Sequence, residues 1–161
     1  DQCPVTAPDT IAHQFEHSLE VQLPFLQMRK SNVSIVPICI GHMPLEMLLE
    51  LGEGLAQVIQ QQGVRPLLVA STDMTHYESG EVARAKDSLA LDEVVKLDPV
   101  GLYEVVRTRR ISMCGVLPVI VAMQAAIKLG ASEAELVVYR NSGEVTGDQS
   151  EVVGYAGVRI K

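Results

Sequence analysis

Two short apolar runs constrain this chain more than any other feature: VSIVPICI at 33–40 and PLLVAS at 66–71. Each is short for a helix, lacks polar alternation and is rich in Val, Ile or Leu, the composition of a strand buried on both faces. Pro37 in the first run favours an edge or a bulge. Around them lie stretches with helical periodicity. In 17–30, Leu19, Leu23 and Leu26 recur at four and three, with Ser18 as a candidate N-cap and Pro24 as a candidate kink. Residues 45–62 form an amphipathic stretch that Pro44 can open and Gly63 can close. A third stretch covers 81–97; Asp98 and Pro99 then cap and open a shorter helix through Arg109. The apolar 118–129 ends on Gly130, and two late strands, 135–140 and 152–160, flank a polar, turn-rich loop. Helices alternating with strands, followed by a hairpin-like pair, predict an α/β fold: three layers, α/β/α, around a mixed sheet.

At 161 residues the chain fits one domain, and its 47% hydrophobic content suffices for a core. The polar, Pro-containing stretch 1–10 reads as a ragged lead, and 11–161 as part of a single domain. Having no Trp and only two Phe, the interior must be built of aliphatic residues. A net charge of −7, with Arg107, Arg109 and Arg110 as the densest basic run, excludes the basic stripe that nucleic-acid binding requires. Those arginines suit a helix C-terminus. The three cysteines, Cys3, Cys39 and Cys114, are odd in number and widely spaced, unlike a secreted disulfide framework. No apolar run reaches the ~20 residues of a membrane span, and no signal peptide is visible, so a cytoplasmic location is expected. Cys39, inside the first apolar run, is expected in the core.

Ligands of open α/β sheets bind beyond the carboxyl ends of strands. Asp73 and His76 follow the run ending at Ser71; His76 suits a metal ligand or a general acid/base, and Asp73 can orient it. The plainer alternative is that Ser71, Thr72 and Asp73 only terminate a strand through local hydrogen bonds. Glu16-His17-Ser18 opens the first helix, where an imidazole is suited to a ligand role, or else simply sits in solvent beside a cap. Cys114 precedes Gly115 in a loop before a helix, a place for a metal-binding or nucleophilic thiol, although a free Cys is commonly just a small hydrophobe. His13 and His17, four apart, form a competing metal pair. No Walker loop, dinucleotide fingerprint, CxxC pair or nucleophile elbow is present.

Three strings carry a resemblance. EHSLEVQLPFLQ (16–27), STDMTHY (71–77) and MCGVLPV (113–119) resemble the MEMO family, which includes the AmmeMemoRadiSam system protein B members. The first string is the most specific, and the resemblance runs from about Ile11 onward. It implies a fold like that of the LigB-type class III extradiol dioxygenases, which hold non-haem iron. It implies further that His17 and Cys114 are metal ligands, that Asp73 is the pocket aspartate and His76 a catalytic histidine acting as acid/base or from behind the ligands, and that another histidine comes from a segment ahead of EHS, making this the C-terminal portion of the family domain. Thiolate in place of the dioxygenases' carboxylate shifts preference from iron(II) toward copper(I) or zinc. Two functions follow as expectations. One is a metal-dependent oxidoreductase acting on a small molecule; the other is a non-enzymatic module receiving a peptide or partner in the same pocket. Shared fold alone does not decide between them.

Overall fold

The computed structural model describes residues 6–63 and 65–161. Among these residues, six helices and three strands follow one another in an α/β arrangement. A 3₁₀ turn, Glu20–Gln22, leads into α1 (Leu23–Arg29), and then come α2 (Leu45–Gln62), β1 (His76–Glu78), α3 (Gly80–Val95), α4 (Pro99–Thr108), α5 (Val116–Lys128), β2 (Ala134–Asn141), the short α6 (Gly143–Thr146) and β3 (Val152–Ile160). The three strands form one antiparallel sheet in the order β1-β3-β2.

Helix boundaries follow the capping chemistry. Asp98 accepts the Gly101 N–H at 2.8 Å, and Pro99 opens α4. Gly63 ends α2 in the left-handed conformation at φ 65°. In α3 the cap is Ser79, whose hydroxyl accepts from Val82. Arg107 lies in the last turn of α4, with Arg109 as its C-cap. The start of the chain differs from the expectation. Ser18 caps nothing; its N–H is taken by the Glu16 carboxylate at 2.6 Å, and helix begins only at Glu20. Pro24 therefore falls in the first turn of α1, where its missing N–H costs no helical bond, and kinks nothing.

Buried aliphatics converge from four helices: Leu48 and Leu51 of α2, Ala90, Leu91 and Val94 of α3, Leu102 and Val106 of α4, and Ile120, Val121 and Met123 of α5. Helix α5 packs against both α2 and α4, and α3 rests on α4 and on the β2–β3 pair. Met74 and Met113 enter this core from the segments that lead to the site.

The runs 33–40 and 66–71 correct the sequence reading. Neither is a strand among the described residues. A strand exists only when a neighbour supplies ladder partners, which β-branched composition favours but cannot provide. Their side chains are correspondingly open: Val36 is 85% exposed and Leu67 77%. Cys39 is exposed for the same reason, not in the core as its apolar surroundings suggested. No helix among the described residues is long and apolar enough to cross a membrane.

Leu102 is fully buried at the meeting of α3, α4 and α5. Leu102→Ala is expected to lower stability by about 2–5 kcal/mol in denaturant titration. Val145→Ala, at a side chain almost wholly in solvent, should stay within about 0.5 kcal/mol of the parent.

Candidate metal centre

Two loop segments build the site. The first, 71–76, runs into β1; the second, 112–115, runs into α5. Their approach depends on Gly115, where a Cβ would stand 2.6 Å from the Thr72 Cβ. Only hydrogen fits there. The Gly115 N–H then donates to Thr72 Oγ1 at 2.8 Å, and that hydroxyl donates to the Asp73 carbonyl at 2.8 Å.

This contact delivers Cys114 to Asp73. The Asp73 N–H donates to Cys114 Sγ at 3.2 Å, with Thr72 Oγ1 3.8 Å from the same sulfur. His76 is held by Ser112. Its backbone N–H donates to Ser112 Oγ at 2.8 Å, and its Nδ1 lies 2.9 Å from the Ser112 carbonyl. A carbonyl only accepts, so Nδ1 carries a proton and Nε2 is the nitrogen left to face the site. That second nitrogen faces the Asp73 carboxylate at 3.6 Å. Donor atoms of Asp73, His76 and Cys114 all lie within 4.8 Å of one another. Asp73 and His76 are half-buried, whereas Cys114 is exposed.

An imidazole fixed through Nδ1–H to a backbone carbonyl is the usual arrangement behind a metal-ligating histidine. Ligands bound at 2.0–2.3 Å stand ~3.3–3.8 Å apart, so the His76–Asp73 spacing already matches and the thiol needs only a small approach. Sulfur, nitrogen and oxygen donors from three side chains also match the ligand number of metal sites that keep one position open. The residues present therefore fit a metal.

His17 is placed differently from these three. It is exposed and stands outside the group. The neighbouring Ser18 is tied in, its carbonyl accepting from Ser71 Oγ at 2.9 Å, while Gln22 Nε2 donates to the same hydroxyl at 3.2 Å. His13 likewise takes no part in the group; it lines an apolar cavity of about 660 Å³ together with residues of the runs 33–40 and 66–71.

Behind His76 sits a residue that the motifs passed over. Asp87 of α3 is fully buried. One carboxylate oxygen accepts the Thr75 N–H at 2.9 Å, and the other accepts the Tyr139 hydroxyl at 2.7 Å. Gly154 of β3 leaves room for that carboxylate, since a Cβ there would overlap it. Burial first, then the hydrogen bond and charge of Asp87, push the Tyr139 phenol well above its ordinary range. The signal was present in the sequence: Asp87 lies on the stripe Ala83, Asp87, Ala90, Leu91, Val94, a carboxylate on the core-facing side of a helix.

Gly115→Ala should force 71–73 and 112–115 apart and cost about 1–3 kcal/mol in denaturant titration. A raised phenol pKa means that the folded state prefers the neutral form. Its contribution is thus complete below the ordinary tyrosine value of about 10 and is lost as pH rises beyond it. Unfolding titrations between pH 8 and 12 should show this alkaline loss in the parent. Tyr139→Phe should flatten it and cost about 1–3 kcal/mol at neutral pH, because Asp87 keeps a buried oxygen without its donor.

A family model described as "Memo-like protein" matches residues 1–159. Among curated relatives, a MEMO1 family protein of Methanosarcina acetivorans is 44% identical over 154 residues, 95% of this chain and 58% of its own length. MEMO1 family proteins of Archaeoglobus fulgidus (43% identical) and Aquifex aeolicus (40%) each match across 96% of this chain and 58% of theirs. The chain thus spans less than two thirds of the length of these relatives. The match runs through the residues that build the site and the helices behind it, and the chain belongs to the Memo-like family.

Proposed function

We propose that this chain carries a metal site of the redox type, with Cys114, His76 and Asp73 as donors and His17 as a further one. The observation that carries the reading is the convergence of sulfur, imidazole nitrogen and carboxylate oxygen within 4.8 Å, with the imidazole already held by its other nitrogen. Copper(I) or zinc suits the thiolate, and iron(II) suits the imidazole and carboxylate. Such a metal supplies Lewis acidity or electron exchange to a small bound molecule. The chain's own groups do the rest. Ser112 orients His76, Asp73 holds a charge beside Nε2, and the Asp73 N–H fixes the sulfur. Where His76 is not ligating, its Nε2 is the group that moves a proton. The finer architecture, a LigB-like three-layer α/β/α domain with a mixed sheet, belongs to this proposal. Its support is the strand-like composition of 33–40 and 66–71. A cytoplasmic location belongs to it as well, supported by the free thiols of Cys39 and Cys114.

A second reading has its own support in the open side of the site. Cys114 and Tyr77 are exposed, so a peptide or partner could enter without turnover.

Metal analysis after loading with iron, copper or zinc separates these. The expected result is about one equivalent in the parent, lost in Cys114→Ser and His76→Ala and weakened about 10–100-fold in His17→Ala. A parent that retains no metal sinks the proposal. An unchanged His17→Ala removes that residue from the donor set. Bound metal with no oxygen consumed in the presence of small-molecule substrates favours the binding module.

A further inference from the structure

Among the described residues, three non-glycine positions have left-handed backbone: Tyr77 at φ 57°, Leu97 at 58° and Arg110 at 51°. Two of them end helices. Leu97 follows the C-cap of α3, donating to the Val94 carbonyl while Asp98 N–H reaches the Glu93 carbonyl. Arg110 and Ile111 bond in the same way to Arg107 and Val106 after α4. In that ending a left-handed residue satisfies the last carbonyls of a helix, which offsets its strain.

Tyr77 ends no helix. It lies inside β1, where the register with β3 slips between His76 and Glu78. Left-handed backbone at a bulky aromatic residue is strained, and burial does not offset it here, since Tyr77 is 76% exposed. Neighbours along a regular strand point to opposite faces, and a bulge beside a site turns one of them. Here the Tyr77 ring comes to the side of the His76 ring, with centroids 5.8 Å apart and planes tilted by 58°. An aromatic face thus stands in solvent next to the imidazole whose Nε2 faces Asp73.

We infer that Tyr77 is a specificity-determining residue: its ring is the side wall of the Asp73–His76–Cys114 site and receives the planar, unsaturated part of a ligand anchored there. This rests on the reading of that cluster as a binding site. It does not require the metal, because the Asp73 carboxylate can anchor a cationic ligand by itself.

The test compares ligands matched in size and charge that differ in planarity. Metal-free protein is titrated with benzylamine and cyclohexylmethylamine, and zinc-loaded protein with benzoate and cyclohexanecarboxylate, both followed by NMR. The parent should prefer the planar partner by about two- to tenfold in at least one pair, the range of ring–ring contacts. Tyr77→Phe should keep that preference and Tyr77→Gly should abolish it. Tyr77→Gly should also hold or raise the melting temperature, by up to about 4 °C, as glycine accepts the left-handed backbone. No planar preference in either pair, or one that survives in Tyr77→Gly, overturns the inference. So does a fall in melting temperature in Tyr77→Gly, which would make the ring a structural element. Zinc stoichiometry, expected to be equal in the parent and both Tyr77 variants, reports separately on the metal reading.

Discussion

The buried carboxylate of Asp87 is the point on which the site side of this molecule depends. It belongs to α3, yet its two oxygens are committed elsewhere, one to the Thr75 N–H ahead of β1 and one to the Tyr139 hydroxyl of β2. A buried charge is tolerated only when it is fully hydrogen-bonded. The helix, the approach to β1 and the β2 strand must therefore hold these positions together. Gly154 of β3 completes the enclosure by leaving space for the carboxylate. His76 is the next residue after Thr75, so its position is inherited from this network rather than from its own side chain.

The cluster is assembled by main-chain groups. A backbone N–H holds the sulfur of Cys114, and a backbone carbonyl holds Nδ1 of His76. Such contacts leave the reactive side of each group free, which is what preorganisation of a ligand set requires. The bulge at Tyr77 acts on the same short strand. One segment of eight residues, 71–78, therefore contributes the tie to Ser18, the contact with Gly115, two donors and an exposed ring.

Membership in the Memo-like family accounts for the strings that surround these residues, and it does not by itself assign a reaction. The chain covers 58% of relatives such as the Methanosarcina acetivorans protein. What the present residues contribute is chemical: a mixed sulfur, nitrogen and oxygen donor set at an accessible position.

By itself, the sequence determined most helix positions and ends, because capping is local. Asp98 with Pro99, Gly63 and Gly130 each act within a turn of their own place in the chain. It also marked His76, Asp73 and Cys114 as residues to watch, by their loops and strings. It could not bring them together, since Cys114 lies 41 residues from Asp73 and tertiary contacts such as Gly115–Thr72 and Ser112–His76 close that distance. Nor could it pair the runs 33–40 and 66–71, because a strand's partner is a property of the whole fold, and so Cys39 lies in solvent. The grouping of Asp73, His76 and Cys114 apart from the exposed His17, the role of Asp87 and the placing of the Tyr77 ring beside that of His76 were likewise decided by tertiary structure. Each depends on which backbone N–H, carbonyl or empty space a distant segment presents.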